Sequence, residues 1–345
     1  DDILIEKMIV DIATTLNNPS KLEPPFLLYP QKLQYLDKTI LRLQVPQSSR
    51  IHRLNGVVYD RSADGDFKIK EPDMIARMVA KKTAYYSELR TYPHFGLDSL
   101  DAETIKTARA YLDNKKPDHP WLKLKGIQFF RQAGFLQKDS ETGKESLTLA
   151  AILLFGKELT IQSVLPQFKI DVLVKKDQVD RYDDRLDLRV NLIESYLKIM
   201  PFIAPYLADP FYLEDITRVS LRDRIYRELV ANLIVHREYT SHLPARILIF
   251  KDKVEFINPC VPHNRGKLVE GNFVPYQKNP LISKFFLQLG WVEEIGSGFA
   301  NVHKWLPLYQ KKAKIEFNEE EVFTATVTLD FANQIVDRQQ NNKSK

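Results

Sequence analysis

Apolar positions along this chain change their spacing several times, and each change marks an element. Ile3, Ile5, Met8, Ile9 and Ile12 follow helical spacing and predict a helix over residues 2–16. Pro24-Pro25 breaks the chain. Residues 38–45 alternate like a strand, residues 56–61 form a second strand, and residues 71–82 return to helical spacing. Helices are predicted over 101–113 and 121–133, then a hairpin over 135–147 that turns through Asp139 to Gly143. Residues 148–156 form a buried apolar run, 168–174 a strand and 189–207 a long helix. Residues 246–250 and 253–257 read as two strands turned at Lys251-Asp252, the second ended by Asn258-Pro259-Cys260. Gly296-Ser297-Gly298 opens a further helix. The expected fold class is α+β, with helices and strands mixed along the chain.

The stretch from Arg227 to Tyr239 reads as an amphipathic helix with polar groups in its apolar face. Stepping 100° per residue, Leu221, Ile225, Leu229 and Leu233 form one stripe. Asn232 and His236 fall inside that stripe, and Glu228 lies on its edge. A buried polar group costs roughly 1–3 kcal/mol unless it finds a partner. Something polar therefore faces this helix. An internal hydrogen-bond network and a ligand with its metal are both open on these residues alone. A Gly-x-Gly turn at a helix start leaves free N–H groups and suits a phosphate, although such turns are more often plain turns.

Composition adds limits. The chain has 345 residues, enough for two or three domains. No apolar run is long enough for a membrane span, and no signal-peptide pattern opens the chain. One cysteine excludes an intramolecular disulfide framework, and with seven scattered histidines it offers no zinc spacing. The cytosol is the expected compartment. Net charge is +5, too mild to argue for nucleic acid by itself. Residues 36–90 hold eleven Lys/Arg against seven Asp/Glu, an excess that by itself reads as a solvated surface.

In their order, the C-terminal pieces resemble a family. Glu228 to Tyr239, Asn258-Pro259-Cys260, Lys278-Asn279-Pro280 and Gly296 to Gly298 look like the divergent ATPase-like module of a group of bacterial transcriptional regulators. That module is similar to the gyrase/chaperone/histidine-kinase/MutL (GHKL) superfamily. The resemblance runs from about residue 185 to 330. It implies that Asn232 holds Mg²⁺ through its carbonyl oxygen and that Glu228 orients or deprotonates water. It places Asn258 where an adenine-reading aspartate usually stands, Gly296 and Gly298 around phosphate, and His236 and Ser297 within the nucleotide site. The chain departs from the pattern in three ways. Asp-x-Gly-x-Gly is missing after the second strand, Cys260 replaces a glycine, and Asn258 is neutral. Nucleotide binding with at most weak ATPase activity is the expectation.

The run Val45-Pro46, Ser48, His52, Gly56, Tyr59, Arg61 resembles the C-terminal part of the Schlafen-related, Alba-type domain that usually precedes such a module. That domain is thought to bind nucleic acid. Arg50, Arg53, Arg61, Lys68 and Lys70 would touch phosphates and Tyr59 would stack on a base. His52 reads more readily as a strand-end histidine satisfied by the backbone.

The expected organisation is a truncated Alba-type domain over 1–82, a helical, winged-helix-like connector over 83–160, a GHKL-like α/β sandwich over 161–335 and a polar tail over 336–345. The start at Asp-Asp and the half-domain that follows suggest a piece of a longer protein. The expected function is a nucleotide-responsive transcriptional regulator that binds DNA, with ATP and Mg²⁺ as cofactors, no membrane partner and a homodimer as a compatible state. The alternative is an interaction or dimerisation scaffold with a vestigial ATP site. A Schlafen-like nuclease ranks lower, because the N-terminal segment shows no carboxylate cluster at convincing spacing.

Overall fold

The strands of the C-terminal half assemble into one seven-stranded mixed sheet in a computed structural model of the chain. The model describes all residues except 1, 26–27, 29, 36–37, 44, 46–47, 49, 63–64, 140–142, 176–180, 263–265, 270–275, 293–296 and 330–345. Across the sheet the order is Asp184–Leu188, Ile170–Val174, Ala245–Ile249, Lys253–Pro259, Val322–Thr328, Lys314–Glu319, Gly266–Leu268. Ile170–Val174 and Ala245–Ile249 run parallel, and every other neighbouring pair is antiparallel. The parallel pair needs a crossover, which the helices Leu192–Ile203 and Leu221–Val235 supply. The Leu221–Val235 helix, hereafter the central helix, packs on the Lys253–Pro259 strand with Leu192–Ile203 and Ser297–Tyr309 beside it. Helices and sheets together make an α+β fold.

Upstream, the two-residue strands Leu22–Glu23 and Arg53–Leu54 pair with the hairpin Val57–Ser62 and Gly65–Ile69 in a four-stranded sheet. Gln31–Tyr35 and Lys38–Arg42 form a separate hairpin. The helices Asp2–Asn17 and Pro72–Tyr85 stand where helical spacing was read.

The connector contains the helices Ala102–Lys115 and Ile127–Ala133 and the hairpin Leu136–Lys138 with Glu145–Thr148. The continuous helix expected over 121–133 is broken. Pro120–Lys123 is a short 3₁₀ turn, and Gly126 restarts the chain at φ +47°, a left-handed value that a side chain disfavours. The apolar run at 148–156 is the Leu149–Phe155 helix, capped by Thr148 Oγ1 and buried on every side. The long helix read over 189–207 is shorter, Leu192–Ile203, with Asn191 as its cap and a 3₁₀ turn after it.

The helix Pro280–Gln288 ties these parts together. Its Phe285 lies among Trp121, Phe129, Phe135 and Phe155 of the connector, at ring distances of 5.8, 6.4, 5.6 and 5.2 Å. Its first amides are buried, and the side chain of its N-cap residue Asn279 does not reach them. The acceptor is Glu88, fully buried and 193 residues upstream: Oε1 takes Leu281 N–H at 2.8 Å and Oε2 takes Ile282 N–H at 3.1 Å. A carboxylate at a helix N-terminus satisfies both the orphan donors and the helix dipole. Glu88→Ala leaves those two amides unpaired in the interior. It should lower the unfolding free energy in urea by roughly 2–4 kcal/mol, at one to two charge-assisted hydrogen bonds' worth.

Candidate functional site

The central helix begins at Ser220, whose hydroxyl takes Asp223 N–H, and ends at Val235. Leu221, Ile225, Leu229 and Leu233 are buried, so the apolar stripe faces the interior. The helix read through Tyr239 therefore stops earlier. His236 closes it, donating its backbone N–H to Asn232 O at 3.1 Å, and residues 237–239 turn away.

The polar stripe residues meet one another. Asn232 Nδ2 donates to Glu228 Oε1 at 3.1 Å. Glu228 is buried and Asn232 half-buried. Burial pushes the His236 imidazole down to about 4, which keeps the ring neutral near pH 7. On the strand Lys253–Pro259, side chains alternate, and Val254, Phe256 and Asn258 share the buried face. Asn258 is 2 % exposed, and its Oδ1 has no hydrogen-bond partner among the described residues. An acceptor buried without a partner is unusual in a folded protein. Cys260, one residue past that strand, places Sγ 3.5 Å from Glu320 O, and burial pushes its thiol up to about 11, so it is no nucleophile at neutral pH.

Other residues of the ordered motifs turn inward and hold the frame. Arg237 is buried against the rings of Phe168 and Tyr239, at 5.0 and 5.5 Å, and donates to Lys169 O at 2.7 Å and Leu243 O at 3.2 Å. Tyr239 donates its hydroxyl to Ile234 O at 2.7 Å, and Glu238 N–H reaches Pro259 O at 2.9 Å. Glu238 pairs with Lys278 at 2.7 Å, and both are about nine-tenths buried. Asn279 Nδ2 donates to Val235 O at 3.0 Å and Arg237 O at 2.7 Å, closing the last carbonyls of the central helix.

Gly266–Leu268 is the edge strand of the seven-stranded sheet. Lys267 pairs with Glu316 at 2.6 Å, and Lys278 is held by Glu238. Arg265 lies outside the described residues, as does Gly296. Ser297 and Gly298 are the first residues of the Ser297–Tyr309 helix, which lies along the central helix. Among the described residues, no three His, Cys, Asp or Glu side chains cluster to hold a metal, and no helix is long and apolar enough to cross a membrane.

The residues read as a nucleic-acid surface divide. Tyr59 sits opposite Lys68, and Arg61 lies two positions along the same strand, so these three share one face of the small sheet. All three are exposed, and Arg61 lies 3.7 Å from Asp66. Lys70 follows the last strand of that sheet and is exposed. Arg53 pairs opposite Val58 and so lies on the other face. Arg50 is drawn inward, and burial pushes its guanidinium down to about 10 against the raising effect of Glu23. His52 Nδ1 lies 2.6 Å from Pro24 O and Nε2 2.6 Å from Ser48 Oγ.

Comparison with known proteins bears on the C-terminal part. Residues 243–329 match a family model described as "Putative ATP-dependent DNA helicase recG C-terminal", so this part is similar to a divergent ATPase-like module. Residues 76–171 match a domain of unknown function, DUF8451. The DIP2311 protein from Corynebacterium diphtheriae has a crystal structure of the same fold, with a TM-score of 0.53 at 15% identity over 90% of this chain. The chain spans 60% of that protein's length. No curated protein matches the chain.

The low value at His236 fixes a pH dependence. A folded-state value of about 4 lies below the ordinary histidine value near 6.5, so the unfolded chain binds more protons between the two. Stability contributed by the neutral ring is complete above about pH 6.5 and is lost as pH falls toward about 4. His52 and His119, both pushed to about 4 chiefly by burial, act in the same direction. Melting temperatures measured from pH 7 to 4.5 should fall, and His236→Gln should make that fall shallower.

Proposed function

We propose that the C-terminal module binds an adenine nucleotide with a divalent cation and that the chain is a nucleotide-responsive regulator acting on DNA. The observation that carries the nucleotide reading is Asn258. Its buried Oδ1 lacks a donor among the described residues, it lies on the same strand face as Phe256, which packs against Tyr226 of the central helix, and an exocyclic adenine amine is a donor of the right kind. The similarity of residues 243–329 to the ATPase-like family supports the same reading. Asn232 and Glu228 fit the cation side. A neutral amide oxygen and a carboxylate are hard oxygen donors of the kind Mg²⁺ takes, with the remaining positions left to water and phosphate. The bound cation would supply charge neutralisation for the phosphates. Glu228 would hold the Asn232 amide in orientation and accept a proton from water, and neutral His236 adds no competing charge.

Isothermal calorimetry with Mg-ATP and Mg-ADP tests this. Binding is expected for the wild type. Asn258→Ala should weaken it about five- to tenfold, the worth of one hydrogen bond near 1 kcal/mol. Asn232→Ala should abolish the Mg²⁺-dependent stabilisation, whereas loss of its hydrogen bond to Glu228 alone would lower the melting temperature equally with and without nucleotide. Absence of heat for the wild type at millimolar nucleotide would sink the reading and leave the interaction scaffold in its place.

The DNA reading rests on Tyr59, Arg61 and Lys68 sharing one exposed face, where an aromatic ring and two cations suit base stacking and phosphate contact. Such binding is non-specific and salt-dependent. The double variant Arg61→Ala, Lys68→Ala should reduce the slope of log K against log salt by about two units. An unchanged slope would place any DNA contact elsewhere.

A further inference from the structure

Three long cationic side chains and a histidine converge where the N-terminal segment meets the connector and the Pro280–Gln288 helix. They are fastened to Pro24, Pro25 and Ser48. Lys82 Nζ donates to Ser48 O, Arg50 N–H donates to Ser48 Oγ at 3.1 Å, and His52 touches Ser48 Oγ and Pro24 O. Lys284 Nζ, from the Pro280–Gln288 helix, donates to Pro25 O at 3.0 Å. The Arg50 side chain runs over the bare backbone of Gly134, where an added Cβ would lie 2.8 Å from Nη1 and 3.0 Å from Leu281 Cδ2.

Among the described residues, none of Arg50, Lys82 and Lys284 has a carboxylate at ion-pair distance. The carboxylate whose charge reaches Arg50 is the exposed Glu23. Arg50 Nη1 is buried without a hydrogen-bond partner among the described residues. The group feels its own crowding. Burial, and then the charge of Arg50, push the Lys284 ammonium down to about 7. Burial first, and then Lys284, Arg50 and Lys82, push His52 down to about 4 against the hydrogen bond with Pro24. Like charges held together away from water destabilise the fold unless something negative joins them.

We propose that Arg50, His52, Lys82 and Lys284 form a socket for a phosphoryl oxyanion, separate from the nucleotide site of the C-terminal module. The unpaired guanidinium edge offers a planar donor suited to phosphate, and the two ammonium groups supply point charge. A doubly charged phosphate monoester matches several cations better than a single carboxylate does. The phosphate would come from a nucleic-acid end or from a small phosphate ester.

The probe is inorganic phosphate, with sodium chloride at matched ionic strength as reference. Phosphate should raise the melting temperature of the full chain above the chloride value. Phosphate also stabilises proteins by exclusion from their surface, so the readout is the difference between variants. Lys284→Met should melt higher than the wild type in chloride, because one repelling charge is gone, and should lose the specific phosphate increment. A pH titration of the His52 ring by NMR gives a second reading. Its midpoint should move from about 4 toward the ordinary value near 6.5 as phosphate saturates the socket. Equal phosphate increments in wild type and Lys284→Met, or a His52 midpoint indifferent to phosphate, would overturn the proposal. Competition then separates the sources: a 5′-phosphorylated oligonucleotide that displaces phosphate where its unphosphorylated twin does not identifies a nucleic-acid end. Displacement by ribose 5-phosphate alone identifies a small ester, and either result supports the socket.

Discussion

The Glu88 carboxylate on the amides of Leu281 and Ile282 is the interaction on which the rest of the arrangement depends. A helix that starts in the interior has donors that water cannot reach, and each must find an acceptor. Asn279 stands at the N-cap position, but its amide is spent on Val235 O and Arg237 O. One residue therefore closes the C-terminus of the central helix, and a second, from far upstream, opens the next helix. The two helix ends are fixed against each other through Asn279 and Glu88. Phe285 can then occupy the aromatic cluster of the connector while Leu233 and Val235 stay in the core. The connector and the sheet module share one continuous apolar core as a result.

This arrangement explains what could be read from the residues in advance. Local spacing located the strands at 38–42, 57–62, 170–174, 245–249 and 253–259; 38–42, 245–249 and 253–259 alternate more and less covered positions, while 170–174 is buried on nearly every position. It overran the central helix because Arg237 and Tyr239 are also buried and fall at nearly helical spacing. Arg237 donates through its two Nη atoms to carbonyls of residues 169 and 243, and no periodicity reports a partner 68 positions away. The break at Gly126 was missed for a related reason. Trp121, Phe129 and Phe130 are core residues whether or not the chain between them is helical.

Single charged residues were the least legible. Glu88 lies in a short polar stretch, and Lys284 sits in an apolar helix where one lysine reads as its solvent side. Each acquires its role from a segment distant in sequence, so neither leaves a local trace. Arg50 shows the same limit from the other direction. Grouped by sequence with Arg53, Tyr59, Arg61 and Lys68, it belongs by position with Lys82 and Lys284. Strand register separates Arg53 from the others as well, since opposite partners Val58 and Lys68 fix which face each residue takes.

Assigning the inward-facing motif residues to the frame narrows what a ligand could use. Arg237, Glu238, Tyr239, Lys278 and Asn279 are each committed to an observed partner within the fold. Their presence in the ordered motifs therefore follows from folding and carries no argument for nucleotide. The Glu228–Asn232 pair and the Asn258 oxygen remain for a ligand; among the described residues that oxygen has no donor, as is also true of Asn279 Oδ1, while Arg237 Nε has no acceptor. A buried acceptor that a strand holds in place without satisfying it costs stability in the free protein. A ligand amine at that oxygen would return that cost as binding energy. Asn258 thus separates a working site from a vestigial one more sharply than the motif as a whole, because its buried oxygen is an acceptor on the sheet face under the central helix and, among the described residues, makes no bond that holds the frame.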